Sequence, residues 1–241
     1  MRVGVLLLVL CFSAEAHEWG VDTVFNFSQT EQALVFNGST ARYKLGGLGL
    51  LSKYQSKNLG TFYLGGGVGY SPDESASFLS VTASGSATSV FTQVAYSNEL
   101  HVFDSVQLQL DVNHRDYDIN GDLEGMINNQ QLSVDAASRF KLSELILSVP
   151  FNINQNNRLR LGFGTIKWHV DATAKGKLET GISAKTSVKG NGTEPLYMLA
   201  LETKLFDSGV NFTYKNSKFS SDEETTMHEL LITVPLSGFE R

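Results

Sequence analysis

Cysteine is all but missing from this chain: its 241 residues include one, Cys11. A single thiol excludes a disulfide framework and every cysteine-based metal cluster. Proline is scarce as well, at 4 residues, while aromatics reach 10% and charged residues only 18%. That composition excludes a disordered or proline-rich chain. There is no excess of basic charge, since 19 Lys and Arg stand against 25 Asp and Glu, a net of −6. Without surplus cations to displace counterions, general nucleic-acid binding is excluded. Long apolar runs are also absent after residue 16, where none exceeds six residues. No transmembrane helix can be built from them, which leaves a soluble protein, a peripheral one or a membrane β-barrel.

The first segment reads as an address. Arg2 supplies a positive start, Val3 to Phe12 an apolar run too short to span a bilayer, and Ala14-Glu15-Ala16 the small residues of a cleavage site. Residues 1–16 are therefore expected to be a signal peptide cut before His17. A lipoprotein signal ending at Cys11 fits less well, because Leu10 stands where a small residue is wanted. Cleavage leaves 18 basic and 24 acidic residues and no thiol in residues 17–241, which suits export through an oxidising compartment.

The mature chain is a series of alternating segments. Val106, Leu108, Leu110 and Val112 interleave with Gln107, Gln109, Asp111 and Asn113. The same period of two runs through Leu145, Leu147, Val149, Phe151 and Ile153, through Tyr197, Leu199 and Leu201, and through Leu230, Ile232 and Val234. Half-buried strands produce this pattern and helices do not. Weaker copies lie at 41–54, 59–70, 89–98, 158–170 and 209–218. Short connections are expected at 55–58, 99–104, 154–157 and 206–209, and long loops at 71–88, 118–141, 171–194 and 219–226. Strict alternation of short turn and long loop is the mark of an outer-membrane barrel. Nine strands follow residue 41, and an even number needs a tenth from 19–27 or 31–37. Tyr54 and Tyr96 at the short-turn ends, with Tyr43, Tyr70, Tyr117, Trp168 and Tyr197 at the other, are read as two aromatic girdles.

At two places the chain resembles small outer-membrane β-barrels of the opacity-protein type. Phe62-Tyr63-Leu64-Gly65-Gly66-Gly67-Val68-Gly69-Tyr70-Ser71 looks like their glycine-rich strands. Glu144-Leu145-Ile146-Leu147-Ser148-Val149-Pro150-Phe151 resembles a characteristic down-strand, and Glu229-Leu230-Leu231-Ile232-Thr233-Val234-Pro235-Leu236 nearly repeats it. The resemblance implies a fold rather than an activity. The chain departs from the family in its last residues, because Phe239 is out of register with Leu236 and Val234.

Few constellations carry chemistry. On a barrel the polar faces point inward, so Arg42, Lys44, Asp111, Arg115, Arg160, Glu202 and Lys204 are candidate lumen charges. They would line either a selective pore or an interior filled by side chains and ion pairs, and the narrow bore of a small barrel favours the second. No cofactor is expected. None of the five histidines has metal-site spacing. His114 with Asp116, and His169 with Asp171, could each join a neighbouring serine in a hydrolase triad at the outer rim, although solvated rim histidines explain them as simply. Gly46-Gly47 and Gly65-Gly66-Gly67 lack the following Lys-Ser or Lys-Thr of a phosphate loop and fit close packing instead.

The resulting expectation is an all-β fold: a closed antiparallel transmembrane β-barrel of ten strands, or eight if one weak hairpin is loop. It would sit in the cell outer membrane as a monomer, in contact with its lipid. Its role would be structural, adhesive or a narrow conduit, with no assigned catalysis. The long loops, one carrying Lys175, Lys177, Lys185 and Lys189, would meet lipopolysaccharide or extracellular ligands. A barrel hydrolase acting on lipid or peptide at the outer rim is one rival. A soluble lipocalin-like binder, with apolar faces turned inward, is the other.

Overall fold

The computed structural model describes residues 21–36, 39–56, 59–78, 81–103, 106–205, 208–220 and 224–235. The expected signal segment and Phe239 lie outside these residues. The described chain is all-β and antiparallel: β1 (Val21–Phe36), β2 (Ser39–Ser56), β3 (Gly60–Phe78), β4 (Val81–Phe103), β5 (Val106–Ile127), β6 (Gln130–Asn154), β7 (Asn157–Leu178), β8 (Ser183–Leu205), β9 (Ser208–Ser220) and β10 (Glu224–Pro235). Each strand pairs with its neighbours in the chain. β1 also pairs with β10, Phe25 facing Val234 and Phe27 facing Ile232, so the sheet returns on itself as a barrel.

Up-and-down pairing sorts the chain reversals onto two rims. Those after β2, β4, β6 and β8 share a lower rim, and those after β1, β3, β5, β7 and β9 share an upper one. The turns expected at 154–157 and elsewhere fall on the lower rim. The upper stretches are not the long loops expected from their composition. Glu74 faces Gly85 and Phe78 faces Val81. Ile127 faces Gln130 across a two-residue turn in which Asn128 and Asn129 adopt φ of 49° and 63°. Both angles belong to the primed hairpin turn that asparagine tolerates. Lys177 likewise faces Ser183 in the β7–β8 hairpin, and Glu224 faces Ser220 across the β9–β10 reversal. The two rims differ less in loop length than in how far the strands run past the lower half.

The reason is plainest in β5 and β6, where period two continues through these stretches and only its polarity reverses. In β5, Leu108, Leu110 and Val112 face outward and Asn113 and Arg115 inward. From Asp116 upward the outward residues are Asp116, Asp118, Asn120, Asp122 and Glu124, while Tyr117, Ile119 and Leu123 are buried inside. β6 does the same. Leu145, Leu147 and Val149 face out low on the strand, and Arg139, Ala137 and Asp135 face out above. The lower barrel is apolar outside, and the upper barrel is built like a soluble one. β6 has 25 residues, more than twice the roughly 9–11 tilted residues of a strand that crosses a bilayer.

The outward apolar band continues round the lower barrel through Leu48 and Leu50, Val68, Val90 and Val94, Leu161 and Phe163, Leu199, and Leu230. Val68 is 60% exposed and Leu147 45%. At its lower edge Phe62 contacts Tyr54 and Tyr96, with ring centroids 6.3 and 4.9 Å away. At its upper edge stand Tyr70, Tyr197 and Tyr214. Two members expected in the upper girdle are elsewhere: Tyr117 and Trp168 are buried inside, because each shares a strand face with Arg115 or Val170 rather than with the outward leucines. The side chain of Tyr43 lies outside the described ones.

Inside, Phe91, Tyr117, Phe140 and Trp168 form an aromatic layer with Leu142, Ile166, Val170, Leu196 and Met227. Glycines make room for it. A Cβ at Gly67 would stand 2.7 Å from Phe91 Cε1 and 2.0 Å from the Leu48 carbonyl oxygen, and one at Gly49 2.8 Å from Phe91 Cζ. The glycine run of β3 is thus the floor on which Phe91 lies. Gly67→Ala is expected to destabilise the barrel by about 1–3 kcal/mol through overpacking. Equilibrium urea unfolding checks this, and an unchanged midpoint would show that Phe91 is not wedged there.

Candidate functional site

The bore is layered from bottom to top. At the lower mouth is an open cavity of about 530 Å³ lined by Lys53, Tyr63, Asn154, Arg158, Glu202, Lys204 and Asn211, among others. Above it, Arg160 bonds Asp111 at 2.9 Å and approaches Glu202 at 2.8 Å, while Arg158 bonds Glu99 at 2.8 Å. Arg160 is only 5% exposed. Further up lies a compact quartet of Arg115, Glu144, Lys215 and Glu229, drawn from β5, β6, β9 and β10. The aromatic layer lies above it.

The quartet is two cations and two anions with almost no solvent. Arg115 donates from Nη2 to Glu144 Oε1 at 2.5 Å and to Glu229 Oε2 at 2.8 Å, and from Nη1 to Glu229 Oε1. Lys215 donates to Glu144 Oε2 at 2.5 Å and stands 3.5 Å from Glu229. Asn113 donates to Glu144 at 3.1 Å and is itself bonded by Gln93 at 3.0 Å, and Tyr117 OH accepts from Arg115 at 3.0 Å. Every charge has an opposite neighbour, as groups removed from water require. The planar guanidinium serves both carboxylates at once through its fork of donors, and the Lys215 ammonium reaches the same two.

The candidate lumen charges divide in the structure. Arg115 joins the quartet; Asp111, Arg160 and Glu202 form the lower group; Lys204 reaches the cavity mouth. Lys44 is a correction. It is exposed on the same face of β2 as Leu48 and Leu50, so its strand parity turns it outward. The side chain of Arg42 lies outside the described ones. Three partners were not singled out from sequence: Glu144, Lys215 and Glu229. The signal for the glutamates was in the two near-copies. Each begins with Glu and reaches Pro six residues later, so Glu144 and Glu229 come to the same height on two up-and-down strands. Barrel closure then brings both to Arg115.

The rim histidines do not assemble a triad. His114 Nδ1 lies 2.9 Å from Ser143 Oγ on the outward face. Asp116 is instead held by Arg139 at 2.6 and 3.0 Å, with Lys141 at 3.6 Å. The bond from Arg139 and the nearby Lys141 charge keep the Asp116 carboxyl below the usual carboxylate range. Asp116 is therefore committed away from His114. Among the described residues no group of three His, Asp or Glu is placed to hold a metal ion.

No family model matches the chain, and no curated protein matches it. Solved structures do. The translocator domain of the autotransporter NalP from Neisseria meningitidis aligns with a TM-score of 0.51 at 12% identity, covering 96% of this chain and 93% of that one. The transport unit of the autotransporter AIDA-I from Escherichia coli aligns with a TM-score of 0.46 at 10% identity, covering 96% of each chain. The attachment invasion locus protein Ail of Yersinia pestis aligns with a TM-score of 0.31 at 15% identity, covering 91% of this chain and 98% of that one. The structural neighbours are small outer-membrane β-barrels, and the NalP likeness shows the fold alone. The class that the fold defines is thus an up-and-down antiparallel β-barrel, the fold of the NalP translocator domain.

Proposed function

We propose that this chain is a ten-stranded transmembrane barrel of the outer membrane whose bore is plugged, and that its work is done by the strands that project above the bilayer. The Arg115–Glu144–Lys215–Glu229 quartet, buried beneath the aromatic layer, carries this reading. A conduit needs a wet path, and desolvated charges paired four ways beneath Phe91, Tyr117, Phe140 and Trp168 offer none. The outward band of Leu48, Leu50, Val68, Leu147, Phe163 and Leu199, edged by tyrosines, supports the membrane assignment, since lipid is the solvent that such a face fits. The upper hairpins, polar outside and apolar inside, support a rigid stalk rather than mobile loops. The role is that of an anchored scaffold that holds a charged sheet surface at the cell exterior.

Planar-bilayer recording on the refolded mature protein tests the plug. Silent wild-type membranes are the expected result, with Glu229→Ala giving discrete openings as the quartet loses an anion. A large steady wild-type conductance would replace the plug with a pore.

A further inference from the structure

We infer that the outward lysine face of β7 and β8 binds the phosphate groups of an anionic glycolipid standing in the outer leaflet; this rests on the outer-membrane reading above. The chain is acidic overall, yet residues 167–189 contain five lysines against two acids, Asp171 and Glu179. Strand parity puts Lys167, Lys175, Lys177, Lys185 and Lys189 on one exposed outward surface.

The cross-strand rows show which of these charges the fold neutralises. One row reads Asp118, Arg139, Asp171, Lys189 across four strands, alternating in sign. Lys189 bonds Asp171 there at 2.8 Å. Two outward rows higher the row reads Asp122, Asp135, Lys175, Lys185, with like facing like at both ends. Direct like-charge pairs destabilise a sheet, and within this row only the facing of Asp135 and Lys175 at its centre offsets them. Among the described residues none of Lys167, Lys175, Lys177 and Lys185 is paired with a carboxylate. A stalk needing only solubility would carry the alternating row throughout. The segregated row leaves a cationic surface for an external anion.

Its position selects the anion. Lys167 stands two residues above Thr165 and four above Phe163, at the edge of the apolar band. Lys175 and Lys177 follow eight and ten residues on, roughly 25–35 Å along the strand. The cations therefore form a line rising from the bilayer surface. A glycolipid with acyl chains against the band, and phosphates first at the headgroup and then along its sugars, matches that line. A soluble anion has no reason to begin at Lys167.

The test uses mature protein folded in zwitterionic phospholipid nanodiscs, with a fluorescent rough lipopolysaccharide as probe. A second sample of that lipopolysaccharide is dephosphorylated, and inorganic polyphosphate is the soluble competitor. Lys175→Gln/Lys177→Gln/Lys185→Gln is the variant, with heat-modifiable gel migration and circular dichroism confirming that it folds. We expect the phosphorylated probe to bind wild type, to bind the variant roughly a hundredfold more weakly, and to weaken with added salt. Equal binding of the dephosphorylated probe, or undiminished binding to the folded variant, overturns the inference. Polyphosphate binding tightly while the glycolipid does not compete would assign the face to a soluble polyanion and overturn it as well. Failure of wild type to enter the nanodisc would instead remove the membrane reading on which it rests.

Discussion

Leu147→Arg is expected to cost the barrel about 2–4 kcal/mol when it unfolds from a lipid bilayer, the depth-dependent penalty for an arginine on a lipid face. Leu147 faces outward, flanked across the sheet by Leu110 and Phe163, so the new guanidinium would enter the middle of the apolar band. Asn120→Arg is the control. Asn120 faces outward on the same pair of strands, but above the reversal at Asp116, where its neighbours are Asp118 and Asp122. There the substitution should shift stability by no more than about 0.5 kcal/mol, as for an ordinary surface change. Urea titration of protein folded in phospholipid vesicles measures both. Similar values for the two variants would mean that the lower barrel does not face lipid, and the soluble lipocalin-like alternative would return. The contrast also locates the bilayer, because the level at which arginine ceases to cost anything is its upper surface.

Removing one anion from the interior should cost more. Glu229→Ala leaves Arg115 and Lys215 facing a single carboxylate in a dry site, and breaking a buried pair in this way typically costs about 3–5 kcal/mol. Adding Lys215→Met removes the orphaned cation and leaves Arg115 with Glu144, two groups that already share a 2.5 Å bond. The double variant is expected to recover most of the loss, since apolar replacement of a buried pair is often neutral. A double-mutant cycle in urea reads the coupling directly, and a value of at least about 1.5 kcal/mol marks the two sites as one network. Additive losses would mean that water reaches Glu229 and Lys215 separately, and the bore would then be open at that level. Arg160→Ala offers a comparison from the lower group. Glu202, its partner, is half-buried at the cavity mouth, so solvent can compensate and the loss should be smaller.

Much of the architecture was legible along the chain because strand periodicity is a local property. The alternation at Leu145 to Ile153 states which residues share a face, and the glycine run of β3 states where side chains cannot stand. Local pattern also misled in one respect. Stretches such as 71–88 and 118–141 are polar, small and glycine-containing, and they resemble loops. They remain strands because Ala83, Ala87, Ile119 and Leu123 keep an inward apolar face, which pairing across the hairpin alone makes worthwhile. The same inversion moved Tyr117 and Trp168 from an expected girdle to the core.

What the sequence determined by itself was the set of faces: which residues alternate, and that carboxylates and cations share the polar one. It could not determine which side of each face is inside, since alternation is symmetric until a sheet curls. Nor could it determine which charges meet. Glu229 and Arg115 are 114 residues apart and touch because β1 pairs with β10 and the strands come round the bore. That partnership comes from the closed sheet, whose desolvated interior makes an unpaired charge too costly to leave alone.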